Sequence, residues 1–475
     1  MDRLSLYLAD GTVLVLPRSL ESFTTYVLLE QEAWFEKETQ FLAAWLKPGM
    51  NVIDIGANVG VYAVPMARRV APGRVVAFEP GSDPRSFLSA SREANALVNL
   101  DILGKAVSDK EGEARLSFGG SSELASLGGS GPGEMVTVTT LDGEDAGGTL
   151  PPPDFVKIDA EGEEQRILAG AETFLDKHAP LLMLEVKAGA AVDRRPIDAL
   201  RARGYGVFRA LPLAPLLLPV EPDEPLDDFE LNLFAAKPSR AAQLHADGFL
   251  VFSLGTWSPE RVDAEASSRF LNAQPCAKAF ASAFARPLDS RFRDALAGYV
   301  AWRDDKRDLT ERASALLHSW RSLHALCQGP ASIARLMTCA RVALEAGQRA
   351  HAVHALHRFK RQAELNPSPN EAFLQPNPDF DAVAVGAHTS DWLLAAALEL
   401  LERISSFSSL YGSPGFDHER FAGKTAVSPE MDRRRVMVGA RAGRRVPVPE
   451  RLKKAQPGHI NAEIWRNGLV PGTVV

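Results

Sequence analysis

Apolar and polar residues alternate near the start of the chain. Leu4, Leu6 and Leu8 precede Ala9-Asp10-Gly11, and Val13 and Val15 follow. Alternation on both sides of an Asp-Gly pair predicts a β-hairpin over residues 3–16. Between residues 31 and 46 the period becomes helical, carried by Phe35, Phe41, Leu42 and Trp45, and Pro48-Gly49 stops it. From Asn51 onward, short apolar runs alternate with helix-period stretches. The predicted strands are 52–55, 74–78, 100–107, 155–158, 181–186, 206–209 and 231–235, and the predicted helices are 61–69, 84–97, 163–175 and 195–203. Two more short strands, 113–118 and 135–140, flank a Gly- and Ser-rich loop at 119–133. Such alternation predicts βαβ units and a mostly parallel sheet.

Past Lys237 the strand pattern ends. Helical periods occupy 259–272, 289–304, 309–327, 331–346, 349–365 and 390–407. Residues 336–367 resemble one tetratricopeptide-type hairpin, through Ala340, Ala343, Gly347 and Ala352. Beyond residue 412 periodicity is weak and Arg, Pro and Gly are common. A chain of 475 residues exceeds what one core usually supports. The expected division is an α/β domain at 1–238, a separate all-α domain at 239–412 and a basic extended tail at 413–475. The helical domain is expected to present an acceptor or a protein partner.

Charge and composition narrow the function. The net charge of −7 gives no electrostatic reason to expect a nucleic-acid partner. The exception is local: between Asp432 and Lys454 nine Lys or Arg face two acids, which reads as a solvated tail. No apolar run reaches a membrane-spanning length, since the longest, 210–220, is cut by Pro212, Pro215 and Pro219. No secretory signal precedes the hairpin, and three cysteines make no disulfide framework, so a reducing cytoplasm is expected. His351, His354 and His357 share a helix but have no acidic or thiolate partner nearby in sequence, and they read as a polar face.

The chemistry concentrates around Val52-Ile-Asp-Ile-Gly-Ala-Asn-Val-Gly60, where an apolar strand enters a glycine turn before a helix. Gly56 and Gly60 let the backbone approach a ligand, and the helix amides that follow face it. Glu79 ends the next strand, 25 residues after Asp54, where an acid can accept both ribose hydroxyls. The turn is G-x-x-x-G with Asn58 inside it, not the G-x-G-x-x-G of dinucleotide sites. Asp54 also suits a cationic ligand better than a pyrophosphate. S-adenosylmethionine is therefore the expected cofactor, ahead of NAD.

Four further segments follow in order: Phe78-Glu79-Pro80, Ala106-Val-Ser-Asp109 with Gly112, Phe155-Val-Lys-Ile-Asp-Ala-Glu-Gly162, and Leu184-Glu-Val186. Phe35-Glu-Lys-Glu38, ahead of Leu46-Lys-Pro-Gly49, comes before them all. Together they resemble the FkbM family of methyltransferases across about residues 30–236. The resemblance implies a class I methyltransferase fold, Rossmann-like, with a seven-stranded, mostly parallel sheet. It implies methyl transfer from S-adenosylmethionine to a hydroxyl, often of a saccharide or natural product. It places Asp54, Gly56, Asn58 and Gly60 at the methionine end of the cofactor, Glu79 at the ribose, and Ser108 and Asp109 near the adenine. Ala57, Tyr62, Pro80 and Glu36 are also taken as cofactor contacts, Glu36 reaching in from the lead-in helix. Glu38 reads as part of a solvated helix face. The sequence departs from the family at Lys187, after Leu-Glu-Val, where members often carry another polar residue.

Asp159 and Glu161 follow the fourth core strand, and ligands of open α/β sheets bind outside the strands' carboxyl ends. Asp159 is the expected base or acceptor anchor, with Glu161 second. Glu161 as a cap for the following helix is the competing reading. Lys157, on the same strand face as Asp159, is expected to pair with it or stabilise an alkoxide. A divalent cation on Asp159, Glu161 and Glu185 is the less favoured alternative to metal-free chemistry. A second class of function also stays open: a catalytically idle methyltransferase fold acting as a scaffold through its helical half.

Overall fold

The computed structural model describes residues 2–118, 125–127, 133–160, 162–188, 191–263, 265–363, 368–386, 388–412, 427–454 and 460–471. Strands β1 (Arg3–Tyr7) and β2 (Val13–Pro17) form the hairpin, its turn fixed by Gly11 at φ +80° and by Asp10 Oδ1 accepting from the Thr12 amide at 2.8 Å. Then come β3 (Val52–Ile55), β4 (Val75–Phe78) and β5 (Leu100–Leu103). A separate four-stranded sheet holds β6 (Lys105–Val107), β7 (Gly112–Phe118), β8 (Ala125–Leu127) and β9 (Gly133–Thr139). The remaining strands are β10 (Phe155–Ile158), β11 (Leu181–Glu185), β12 (Lys187–Ala188), β13 (Ala191–Val192), β14 (Gly206–Ala210), β15 (Leu217–Pro219) and β16 (Asn232–Ala236).

The main sheet runs β15-β14-β16-β11-β10-β3-β4-β5. Its five central strands, β11 to β5, are parallel, and β16 inserts antiparallel between β14 and β11. Seven of these strands make the seven-stranded, mostly parallel, doubly wound sheet that was expected. The eighth, β15, pairs back on β14 at the edge because Leu217 and Leu218 are buried there. Strands β3, β4 and β10 are buried on both faces, which is why they read as unbroken apolar runs. Successive residues supply opposite cores: Val52, Val75, Phe155 and Leu181 on one face, Ile53, Val76, Val156 and Leu182 on the other. Burying each such side chain is worth about 1.5–3 kcal/mol. The chain winds from β3 through β4 to β5 one way, then returns to β10 and β11 on the other side of β3. A crevice opens at that reversal, at the carboxyl ends of β3 and β10.

Four expectations differ from the structure. The lead-in helix, expected over 31–46, is α2 (Glu38–Trp45), and an unforeseen helix, α1 (Phe23–Gln31), precedes it. Ser22 caps α1, and Glu32 at φ +56° ends it, so the chain bends ahead of Phe35. The run 100–107 divides at Gly104 between two sheets. The helix Pro238–Ala246 places Ala241 and Leu244 in a core of the sheet, so that core extends past residue 238.

The fourth difference is the tail. Residues 427–471 hold helices Pro429–Arg441, Glu450–Lys453 and Ala462–Arg466, and Val436, Met437, Trp465 and Val470 share one core with Leu4, Leu6 and Leu16. Several of the basic residues are buried and paired. Arg434 meets Glu30 at 3.0 Å, Arg433 meets Glu32 at 3.1 Å, and Arg451 pairs with Asp432. The dense charge hid a short apolar face. Asn461 clasps the hairpin, accepting from the Tyr7 amide at 2.8 Å and donating to its carbonyl at 3.0 Å. Asn461→Ala is expected to cost about 1–3 kcal/mol, read as a lowered melting temperature; an unchanged melt would show that this clasp does not hold the C-terminal segment to the hairpin.

In the helical half, helices Ser290–Trp302, Leu309–Leu326, Ile333–Glu345 and Arg349–Ala363 pack around a core that also takes in Leu211, Leu216, Leu218 and Val251 of the α/β part. The last two form the predicted hairpin, turned at Gly347 with φ +76°; residues 365–367 of that motif lie outside the described residues. The His351 ring packs on His324 and Trp320, at 4.5 and 5.6 Å. Among the described residues no helix is long and apolar enough to cross a membrane.

Candidate active site

The crevice is a cleft of about 250 Å³. Strand register brings its polar floor together. Asp54 of β3 lies directly opposite Lys157 of β10. Both point to the face that carries apolar Val52 and Phe155 lower down, so a charged pair replaces the apolar pattern only at the carboxyl ends. Lys157 Nζ is 2.8 Å from Asp159 Oδ2, 3.6 Å from Asp54 Oδ1 and 5.0 Å from the Tyr62 ring centre. Two carboxylates around one buried ammonium hold its pKa above the ordinary lysine value despite burial. Asp54 is fully buried, and neither of its oxygens has a hydrogen-bond partner. Burial pushes its carboxyl up, while Lys157 opposes that and Asp159 adds to it.

Glu36 closes one wall. Its Oε2 accepts from Tyr62 at 2.5 Å and from Asn232 at 2.9 Å. Burial, then the Asp159 charge, raises its carboxyl pKa. Glu79 forms the opposite wall, accepting from the Asn58 amide at 2.7 Å and the Gly81 amide at 2.7 Å. Burial pushes it up to about 7. Asn58 sits at φ +49°, a conformation that Asn tolerates, and this turns its amide onto Glu79. Gly56 is required for close approach, since a Cβ there would stand 1.7 Å from the Asp159 carbonyl oxygen.

The cleft therefore gathers Glu36, Asp54, Gly56, Ala57, Asn58, Tyr62, Glu79, Pro80, Lys157 and Asp159. Gly60 lies under it, its missing Cβ making room for Leu88 and Val64. Ser108 and Asp109 stand behind the lining. Ser108 donates to Glu163 Oε2 at 2.9 Å, and Glu163 faces the cleft, while Asp109 pairs with Arg166 at 3.1 Å. Glu161 lies outside the described residues, as does the side chain of Lys187. Glu38, read as solvated, is only 2% exposed. The bend at Glu32 turns the start of α2 inward, and burial pushes Glu38 up to about 8.

Sequence reasoning missed the aromatic end of the cleft, lined by Phe23, Trp34 and Phe35. Phe23 meets Trp34 and Phe35 at ring-centre distances of 5.8 and 5.6 Å, and Phe35 meets Phe407 of the helical half at 5.0 Å. The Ser-Phe-Ser-Ser segment at 406–409 docks here: the Ser409 amide donates to the Glu30 carboxylate at 3.2 Å. Lys105, paired with Glu144 at 2.6 Å, and Glu185 also line the cleft. Among the described residues no three His, Cys, Asp or Glu side chains are grouped to hold a metal ion.

The residues present suit S-adenosylmethionine. Asp54, whose carboxyl is raised by burial despite Lys157 at 3.6 Å, and the raised Glu36 both gain from a further cation, which is the reverse of what a pyrophosphate would meet. Glu79 keeps lone pairs for two hydroxyls.

Residues 54–207 match the family described as the methyltransferase FkbM domain. A methyltransferase FkbM from Methylobacillus flagellatus KT is 17% identical, with 43% of this chain and 49% of that chain covered at a TM-score of 0.29. An S-adenosylmethionine-dependent O-methyltransferase from Thermotoga maritima is 15% identical, with 50% and 92% covered at a TM-score of 0.28. Among curated proteins, the AMB antimetabolite synthetase AmbE of Pseudomonas aeruginosa is 36% identical over 73 residues, which are 15% of this chain and 3% of that protein.

Proposed function

We propose, from the match of residues 54–207 to the family described as the methyltransferase FkbM domain, that the protein transfers the methyl group of S-adenosylmethionine to a hydroxyl of a saccharide or related metabolite. The observation that carries this reading is the cluster of Asp54, Lys157 and Asp159 at the crevice of the sheet, with Lys157 bonded to one oxygen of Asp159 only. When bound, S-adenosylmethionine supplies an electrophilic methyl group on a positive sulfur. Asp54, Asn58, Glu36 and Tyr62 hold its methionine end, and Glu79 accepts from the ribose hydroxyls. Asp159 would take the proton of the acceptor hydroxyl on its free oxygen, the C–O bond forming as the C–S bond breaks and leaves its electron pair on the thioether sulfur. Lys157 fixes the other oxygen and so aims the base. Rate comes from holding acceptor and methyl group in line. In this reading the α/β domain, with the helix past residue 238, is the catalytic unit, and the helical half completes the acceptor side.

The raised Glu79 carboxyl sets a pH signature. Below about 7 it takes up a proton and offers fewer lone pairs to the ribose. Affinity for S-adenosylmethionine is thus expected to rise as pH increases from 6 to 8, and Glu79→Gln should weaken binding and flatten that rise. Calorimetry across this range checks it, and a slope that survives in Glu79→Gln assigns the titration elsewhere. The reaction itself is tested by a labelled-methyl transfer screen over sugars, lipids and peptides with mass detection. Label on a sugar hydroxyl supports the reading, and label on nitrogen or on a peptide alone contradicts it.

A further inference from the structure

The segment between α1 and α2 has a cavity on both sides. Trp34, Phe35, Glu36 and Leu231 line the cofactor cleft and also a second cavity of about 220 Å³. The far wall of that second cavity comes from the helical half, through Arg349, Asn377, Asp379, Arg403 and Phe407. Its walls carry five carboxylates, Glu36, Glu38, Asp227, Glu230 and Asp379, against three cations. Two of the cations are already neutralised: Lys37 lies 2.6 Å from Glu230, and Arg403 pairs with Asp379. The third, Arg349, is stacked over Phe229 and Phe407 at 4.3 and 4.9 Å and donates to the carbonyls of Ile404 and Ser406. Four wall atoms on side chains more than nine-tenths buried have no hydrogen-bond partner: the acceptors Glu38 Oε1 and both oxygens of Glu230, whose charge is met by Lys37, and the donor Asn377 Nδ2.

A formal acidic excess, acceptors without donors and a donor without an acceptor describe a place for a ligand with both a cationic and a neutral polar group. We propose that this cavity is the acceptor site, and that the acceptor carries a protonated amine seated on Glu38 and an oxygen held by Asn377. The hydroxyl to be methylated then passes Phe35 and Glu36 toward Asp159. The assignment rests on the methyl-transfer reading of the adjoining cleft. Phosphorylated or carboxylated acceptors are disfavoured, because the wall cations are already engaged, Lys37 by Glu230, Arg403 by Asp379 and Arg349 by two backbone carbonyls. Burial holds the Glu38 carboxyl up to about 8, so it is largely neutral at pH 7. An ammonium beside it stabilises the carboxylate and draws the proton off, which an uncharged group cannot do.

Matched pairs differing only in amine charge test this on the full chain: glucosamine against N-acetylglucosamine, and ethanolamine against N-acetylethanolamine. Ligand-observed NMR and melting shifts are recorded with S-adenosylmethionine present. The expected result is at least one amine binding about tenfold or more tighter than its acetylated partner, a difference of about 1.4 kcal/mol or more. Glu38→Gln should erase the difference while S-adenosylmethionine binding is unchanged. This substitution removes a costly buried acid, so the fold should survive, and its cofactor binding reports that directly. Equal binding within both pairs, no binding by either amine, or a preference that persists in Glu38→Gln overturns the proposal. S-adenosylmethionine binding without amine preference overturns the acceptor assignment alone; absence of S-adenosylmethionine binding to folded protein overturns both.

Discussion

Asp159→Asn should leave S-adenosylmethionine binding intact and lower methyl transfer by about 10²–10⁴-fold, the usual worth of a positioned general base. The substitution keeps the size of the side chain and its oxygen toward Lys157, 2.8 Å away in the native protein. What it removes is the oxygen that can accept a proton. Because the Asp159 carbonyl sits against Gly56 through backbone rather than side chain, the cofactor turn has no reason to move. Full turnover in Asp159→Asn would mean that another group takes the proton, and Glu185, also in the cleft, would be examined next. A loss of cofactor binding equal to the loss of rate would recast Asp159 as a cofactor ligand.

Lys157→Met is expected to give the largest loss of stability, about 3–5 kcal/mol, because it removes one partner from a buried charge cluster. Methionine fills the volume but takes from fully buried Asp54 the cation that stands 3.6 Å away in the native protein. Burial already raises the Asp54 carboxyl, and Lys157 is what opposes it. Without Lys157 the folded state must keep Asp54 protonated at pH values where the unfolded chain would ionise it. The stability deficit is therefore largest at neutral pH and shrinks as pH falls toward the ordinary carboxylate range, where both states are protonated. Melting curves at pH 7 and pH 5 measure this. The double variant Lys157→Met with Asp54→Asn should recover much of the stability and none of the activity. A deficit independent of pH would locate the cost in packing rather than in charge.

The parts of this molecule legible from sequence are those in which a local pattern and the tertiary environment agree. Val52–Ile55 and Phe155–Ile158 are buried on both faces and read as strands to the residue. Asp54, Glu79 and Asp159 are legible because a carboxylate at the end of an apolar strand has little reason to be there except a ligand. The register that sets Lys157 opposite Asp54 is a consequence of pairing β3 with β10, across about a hundred intervening residues, and the sequence pointed only to the pairing of Lys157 with Asp159. Glu38 was misjudged because helical spacing shows which residues share a face, not which way that face turns once the chain bends at Glu32. The basic stretch after Asp432 was misjudged for a related reason. Arg433 and Arg434 find their acids in Glu32 and Glu30, some four hundred residues away, and no local pattern records such a pairing. The aromatic contact of Phe35 with Phe407 belongs to the same class, and with it the second cavity.

The central claim is that the crevice above β3 and β10 is built for S-adenosylmethionine, and titration calorimetry of the full chain with that compound tests it most directly. The account predicts saturable binding at one site per chain, strongly weakened in Asp54→Asn and Glu79→Gln and retained in Asp159→Asn. No heat from protein shown to be folded, or binding that both Asp54→Asn and Glu79→Gln leave untouched, would contradict it.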